Sequence, residues 1–418
     1  MRYARAVTPR GPYHPGMTPP AAAPPPRRIL PVIVLSQFAG TSLWFSGNAI
    51  LPELERGLAI GANALADVTS AVQLGFIAGT LVFAVFNVSD RCRPRDVFLA
   101  CALLGALANA AMVALPHLAN PYAALLALRF ATGFFLAGIY PVGMKIAAGW
   151  YREGLGQALG FLVGALVIGT ALPHLLAGPD LGAHWTQVAL AVSALAVAGG
   201  AAMHALVPEG PYLAPAPRFD PTAVARAFRA SDFRASACGY FGHMWELYTL
   251  WAFAPLMLTA YGAQRGLALD ASFWTFCLIA AGGLGCMAGG LLSRRLGSTR
   301  VALGNLGVSG LCCLLSPLAY ALPPAAFLAF MLVWGVAVAG DSPQFSALNA
   351  ATAPRAYVGS ALTIVNCIGF AISVVSLQVM TVLSGWLSPT LWFVPVALGP
   401  ALGLAAFRSL AAGSRTRP

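Results

Sequence analysis

The chain has 418 residues, of which 59% are apolar and only 9% are charged. A soluble domain is typically about 25% charged, so this composition excludes an ordinary soluble fold and predicts a protein that crosses a membrane several times. We interpret the net charge of +11 through membrane topology and do not expect a nucleic-acid partner, because positive charge collects in cytoplasmic loops.

The N-terminal segment 1–28 is basic, rich in proline and free of acidic residues. It lacks the small-residue cleavage site of a signal peptide, and we expect a disordered cytoplasmic tail. Twelve apolar segments of helical length follow. We call them spans one to twelve, with predicted limits 29–51, 66–86, 97–115, 121–147, 155–176, 185–206, 236–259, 271–292, 300–321, 324–346, 357–384 and 389–407.

The long basic segment 207–235 divides the chain into two six-span bundles, 29–206 and 236–407, and residues 408–418 form a C-terminal tail. With both termini in the cytoplasm, twenty basic residues lie on the cytoplasmic side and only Arg56 and Arg265 lie outside. This bias is typical of multi-pass membrane proteins. Arginine greatly outnumbers lysine, and Ala, Gly and Pro are abundant, which suggests a GC-rich bacterial genome. We therefore expect a bacterial protein of the inner membrane.

The two halves of the chain repeat. Span one contains FAGTSLWFSGNAILP and span seven contains FGHMWELYTLWAFAP, each with Phe and Pro at its ends. Spans four and ten share an AGxxP frame, at Gly138 and Pro141 and at Gly340 and Pro343. Basic loops follow spans two and eight. Such internal repeats are typical of secondary transporters, whose substrate site lies at the repeat interface.

With these features the chain resembles the major facilitator superfamily over all twelve spans. The family's loop motif is matched at Asp90 and Arg91 in a first copy, which departs from it at Phe86 and Arg93. A second copy is matched at Gly290, Arg294, Arg295, Gly297 and Arg300. The resemblance implies an all-α fold of two pseudo-symmetric six-helix bundles, transport by alternating access, and a loop motif that latches the cytoplasmic gate.

Span five contains Gly160, Gly169 and Pro173, a spacing that is similar to the antiporter motif of exporters in this family. The resemblance implies efflux. Small residues at this spacing also allow close helix packing without any role in transport, and both interpretations stay open here.

Ionisable residues within the spans are functional candidates, because burying charge in hydrocarbon is costly. Glu246 lies near the middle of span seven, where the neutral carboxyl is favoured and reversible protonation is possible. His243 lies on the same helical face, so the two could relay a proton. The alternative is a static pair of Glu246 with His243 or Arg129. We predict no metal site, since zinc needs three or four ligands.

Asp341 precedes Pro343 in span ten, where proline interrupts the helical hydrogen bonds. We expect a gate or ligand site there, or else a helix cap or a pair with an arginine. Arg129 in span four could bind an anionic substrate or act on Glu246, or form a structural salt bridge. Lys145, near the cytoplasmic end of the same span, is placed to extend its ammonium group to the interface.

Polar and aromatic residues of the spans are candidates to line a central cavity, although interfacial anchoring and ordinary packing explain aromatic residues equally well. The predicted lining residues are Trp44, Asn48, Trp245, Tyr248, Asn366 and Gln378.

The leading hypothesis is a proton-coupled secondary transporter that moves a small organic solute across the membrane, with efflux favoured. Uptake of a small organic anion is the first alternative, and a membrane receptor that moves no solute is the second. The chain has no nucleotide-binding loop and no hydrolase motif, so we expect neither an enzyme nor a cofactor. We expect a monomer in the lipid bilayer.

Overall fold

The computed structural model describes residues 25–58, 61, 64–178, 183–213 and 219–413, and within these ranges it contains helices and no strands. Most of the predicted N-terminal tail therefore lies outside the described residues. The predicted boundary of the C-terminal tail at 408 is wrong, because the helix Leu398–Gly413 continues through the first six residues of that tail. Eleven helical segments are long and apolar enough to cross a membrane. They are Ile29–Leu58, Ala64–Val85, Pro94–His117, Pro121–Trp150, Leu155–Leu176, Trp185–Leu206, Ala271–Leu296, Ser298–Ala319, Pro324–Thr352, Val358–Ser384 and Pro389–Phe407.

Span seven supplies the twelfth helix, Ser231–Arg265, which has 35 residues. It is less apolar than the others because its central part contains His243 and Glu246. At about 1.5 Å per residue it is longer than the hydrocarbon core of a bilayer, which is about 30 Å thick. Span seven therefore extends further at both ends than the predicted limits 236–259, and the prediction of twelve membrane helices is confirmed.

Three spans are broken near their middle. Span one consists of Ile29–Thr41 and Ser46–Leu58, span four of Pro121–Leu136 and Tyr140–Trp150, and span ten of Pro324–Gly340 and Ser342–Thr352. Pro141 and Pro343 each occupy the first turn of the second helix, where a missing N–H leaves no hydrogen bond unmade. The repeated AGxxP frame is thus a repeated helix break.

The helix pairings also repeat between the halves. Span six packs against spans one and three, and span twelve packs against spans seven and nine in the same way. Span two pairs with span four as span eight pairs with span ten. The two bundles meet where span five packs against span eight and span two packs against span eleven. We call the end of the molecule that carries the connection between spans six and seven the linker end, and the other the far end.

Glycines allow the helix backbones to touch at equivalent places in both bundles. A Cβ atom on Gly133 of span four would lie 1.9 Å from the carbonyl oxygen of Val72 in span two. A Cβ atom on Gly335 of span ten would lie 2.2 Å from the carbonyl oxygen of Leu278 in span eight. Close approach of this kind holds membrane helices together through van der Waals contact.

We predict that Gly133→Ala destabilises the protein by about 1–3 kcal/mol, the usual cost of an overpacked contact. The matched control is Gly304→Ala, because Gly304 has open space around its Cα. Alanine there is neutral or slightly stabilising through its helix propensity. Thermal melting of both variants in detergent checks the difference, and equal melting temperatures would contradict it.

Candidate functional site

A cavity lies between the two bundles, midway along their helices. Aromatic side chains of both halves, including Trp44 and Trp251, form much of its wall, and its hydroxyl and amide groups come from Tyr140, Tyr240, Tyr248, Ser342, Ser346 and Asn366. Its free volume is about 50 Å³, whereas pockets for organic ligands of drug size measure about 300–1,000 Å³. The bundles must therefore separate before such a solute can enter.

Stacked aromatic rings from both halves close the far side of this cavity. The ring centroid of Trp44 in span one lies 5.9 Å from that of Tyr248 in span seven and 5.5 Å from that of Phe370 in span eleven. Phe76 of span two lies 4.7 Å from Phe370. Asn366 lies one helical turn nearer the linker end than Phe370, so the polar part of the cavity wall lies on the linker side of the aromatic cluster.

Of the predicted lining residues, Trp44, Tyr248 and Asn366 line this cavity. The other three lie elsewhere. Asn48 donates a hydrogen bond to Thr69 of span two at 2.6 Å. Trp245 lines an apolar groove between spans seven, eleven and twelve, and Gln378 reaches span two near the far end.

Arg129 is fully buried and holds the break in span one. Its guanidinium group donates to the carbonyl oxygen of Leu43 at 3.1 Å and to that of Trp44, and contacts Asn109 of span three at 3.4 Å. Among the described residues it forms no ion pair with an acid. The carbonyl groups that end a helix carry partial negative charge, so the broken helix itself neutralises this arginine. Neither a pair with Glu246 nor a structural salt bridge forms.

Glu246 is fully buried inside the second bundle. Its carboxylate oxygens accept hydrogen bonds from Trp334 at 2.7 Å, Ser309 at 2.8 Å and the Cys313 thiol at 3.3 Å. These donors belong to spans nine and ten, and Glu246 is not among the residues that line the cavity. The expectation that Glu246 pairs with His243 is wrong for this arrangement of the helices.

His243 pairs instead with Asp341 at the break of span ten. The His243 Nδ1 atom lies 2.8 Å from the Asp341 Oδ1 atom, and both side chains are almost completely buried. The two atoms are within ion-pair distance but lack the alignment of a hydrogen bond, and no polar atom of either side chain has a hydrogen-bond partner within the described part of the chain. Asp341 forms neither the expected side-chain cap nor a pair with an arginine.

The comparison with known families agrees with this arrangement. The family model of the Major Facilitator Superfamily matches residues 33–377. The chain belongs to the Major Facilitator Superfamily. None of the curated proteins matches it.

Solved structures of superfamily transporters share the fold. The transporter FucP, in its outward conformation, is 13% identical, with a TM-score of 0.66 over 91% of this chain and 98% of FucP. The proton:xylose symporter XylE, bound to 6-bromo-6-deoxy-D-glucose, is 14% identical, with a TM-score of 0.68 over 91% of this chain and 96% of XylE. At these identities the likeness is one of fold alone.

The superfamily loop motif lies at the linker end of this transporter. Asp90 accepts from the ammonium group of Lys145, with Nζ and Oδ1 2.5 Å apart, so Lys145 ties the end of span four to the loop after span two. Arg91 is exposed. In the second copy, Gly297 has a positive φ of 81° between spans eight and nine. The remaining arginines of that copy, Arg294, Arg295 and Arg300, are exposed.

The small residues of span five serve two different contacts. A Cβ atom on Gly290 of span eight would lie 3.9 Å from the Gly160 Cα atom, so Gly160 faces the other bundle. Gly169 faces span one, where an added Cβ atom would lie 2.3 Å from the carbonyl oxygen of Phe38. Pro173 is buried within the helix. The close contact between spans five and one is therefore enough to explain why position 169 is a glycine.

Several residues of the cavity and of the contact between the bundles were not predicted. Tyr140 and Ser342 precede the equivalent prolines of spans four and ten, so the repeat itself could have identified them. Asp67, at the far end of span two, accepts from Tyr122 and from Gln378, whose amide nitrogen lies 3.2 Å away. Ser373 donates to Gln73 at 2.9 Å between the same two spans. These two polar contacts join the bundles on the far side of the cavity.

We predict that Arg129→Gln destabilises the protein by more than about 2 kcal/mol, because leaving a buried acceptor unsatisfied costs about 1–3 kcal/mol. The matched control is Arg265→Gln. Arg265 also donates to two backbone carbonyl groups, those of Tyr320 and Leu322, but its side chain is exposed to water. Thermal or denaturant melting in detergent compares the variants. An equal loss of stability in both would contradict the role of Arg129 in holding the break of span one.

Proposed function

We propose that this superfamily member is a proton-coupled transporter that exports a small organic solute across a bacterial inner membrane. The two bundles would rock about the cavity between them, exposing it to each side in turn. The observation that carries the proposal is the buried pair of His243 and Asp341, located at a helix break beside the cavity.

A buried pair of this kind makes the shape of the site depend on proton occupancy. With one proton shared, the pair is a net neutral unit, either as two opposite charges or as two neutral side chains. Adding or removing a proton leaves a single buried charge, which costs several kcal/mol if it stays unpaired. Proton binding would therefore favour an arrangement in which water reaches the pair.

The pair is connected to the cavity through the backbone of span ten. Ala339 and Ser342, the neighbours of Gly340 and Asp341, line the cavity directly. A break frees the two helices Pro324–Gly340 and Ser342–Thr352 to tilt relative to each other. The attraction between His243 and Asp341 holds this break against span seven, and its loss on protonation would release the break.

Glu246 is a weaker candidate for the proton carrier than the sequence alone suggested. Both of its carboxylate oxygens already accept hydrogen bonds from spans nine and ten. We therefore assign Glu246 to fixing the position of spans seven, nine and ten around the pair.

Export and orientation rest on sequence features. The described arginines gather mainly at the linker end, and Arg56 and Arg265 lie at the far end, which supports a cytoplasmic linker. The spacing of Gly160, Gly169 and Pro173 supports proton antiport. Uptake of an anion has less support, because Arg129 and Lys145 are both engaged by partners within the protein.

The test begins with a thermal-shift screen of the purified protein against organic anions, cations and neutral compounds at two pH values, since a ligand of the folded state raises its stability. A ligand found there is loaded into proteoliposomes. We predict that a pH gradient drives its movement in the wild type, and that Asp341→Asn lowers this flux at least tenfold while exchange of labelled for unlabelled ligand continues.

Glu153→Gln is the matched control, because Glu153 is an exposed loop acid and its loss leaves flux unchanged. Full gradient-driven flux in Asp341→Asn would contradict the coupling role of the pair. If Glu246→Gln, folded as judged by its melting curve, then loses gradient-driven flux but keeps exchange, the coupling role passes to Glu246. Binding without any flux in the wild type would identify a receptor and contradict transport.

A further inference from the structure

We infer that the solute is uncharged, carries a flat ring, and presents hydrogen-bond acceptor oxygens to the indole N–H groups of Trp44 and Trp251. This inference rests on the proposed function, since it assigns a substrate class to the same cavity.

The cavity wall is electrically neutral. No charged side chain is among its lining residues in the described part of the chain. The intramembrane charges that could have held an ion are engaged elsewhere, with Arg129 on the carbonyl groups of span one, Glu246 on its three donors, and Asp341 on His243. A charged solute would lose its hydration without gaining a counter-charge, which is unfavourable in a site of low dielectric constant.

Two hydrogen-bond donors of the wall lack acceptors. The side chains of Trp44 and Trp251 are each 1% exposed, and their Nε1 atoms are buried without a hydrogen-bond partner among the residues described. Buried indole N–H groups usually have a partner. Both tryptophans line the cavity, but their Nε1 atoms are buried in this closed arrangement. An acceptor oxygen on the solute would reach these unsatisfied groups when the bundles separate.

The aromatic wall favours a flat ring. Trp44, Tyr248 and Phe370 form a cluster with centroid separations of 5.3 to 5.9 Å, which is within the range of offset ring pairs. When the bundles separate, these rings come from opposite halves and expose facing π surfaces. A solute ring inserted between them would replace the ring–ring contacts that are lost.

The test uses three probes with one ring system and different charge: naphthalene-2-carboxamide, naphthalene-2-carboxylate and naphthalen-2-ylmethylammonium. Equilibrium dialysis measures their binding to the purified full-length protein in detergent. We expect the carboxamide to bind at least tenfold more tightly than either ion. Trp44→Phe and Trp251→Phe keep a ring and remove the N–H. Because the carboxamide has one acceptor oxygen, at least one of the two variants lowers its affinity about two- to tenfold, the value of one hydrogen bond.

Trp245→Phe is the matched control. Its Nε1 atom is also buried without a partner, but Trp245 lies in the groove between spans seven, eleven and twelve and not in the cavity. We expect unchanged affinity. Melting curves without ligand confirm that each variant is folded. If Trp44→Phe does not fold, the binding of the carboxamide to Trp251→Phe provides the result.

The inference is overturned if either ion binds as tightly as the carboxamide, if the carboxamide does not bind, or if both tryptophan variants retain wild-type affinity. A result of this kind is distinguishable from failure of the proposed function. An ion that binds and moves with a pH gradient leaves proton-coupled transport standing and removes the neutral substrate. A carboxamide that binds but is not moved by a pH gradient supports the neutral substrate and contradicts proton-coupled transport.

Discussion

In a bilayer, a backbone group that is freed from a helix has no water to bind, and the protein itself must satisfy it. This constraint explains where the charges of this transporter lie. The break in span one exposes carbonyl groups, and the guanidinium group of Arg129 binds two of them. The position of the guanidinium group is fixed in turn by Asn109, which contacts Arg129 and donates a hydrogen bond to the backbone of span six at 3.0 Å. One buried cation thus connects spans one, three, four and six without any acid.

The second bundle solves the equivalent problem with an acid. At the break of span ten, Asp341 faces His243 of span seven. Seven residues before Asp341 in span ten, Trp334 donates a hydrogen bond to Glu246, which is also on span seven. His243 and Glu246 therefore face the same neighbour, span ten, at different depths. Because all these charges are engaged inside one bundle or the other, the wall of the cavity between the bundles is left aromatic and neutral. The separation of a charged interior from a neutral cavity allows proton occupancy to change the shape of the cavity without a direct charge contact to the solute.

Much of this fold follows from the sequence. Helix number, the duplication and the breaks before Pro141 and Pro343 are local properties of length, hydropathy and backbone chemistry. The partners of the buried charges are not local. Spacing places His243 and Glu246 on one face of span seven, but only the packing of spans nine and ten decides that Glu246 meets Trp334 and Ser309. Asn366 and Gln378 are both polar residues of span eleven, yet one lines the cavity and the other reaches Asp67. The roles of Phe76 and Phe370 could not be predicted, because the sequence around an aromatic residue in a membrane helix does not distinguish a place in the aromatic cluster from ordinary packing.

The measurement that tests the coupling role of Asp341 most directly needs no identified substrate. Ser346 lines the cavity on its linker side and is exposed, so a thiol in Ser346→Cys reports how open that side is. Native Cys92 is exposed in the loop after span two and is an internal reference for the effect of pH on thiol chemistry. The ratio of maleimide labelling at the two cysteines is read by mass spectrometry between pH 5 and pH 8. We expect this ratio to change severalfold with pH, and to become independent of pH when Asp341→Asn is added. A ratio that stays constant in the first variant, or that changes equally in both, would contradict proton control of the cavity by the His243–Asp341 pair.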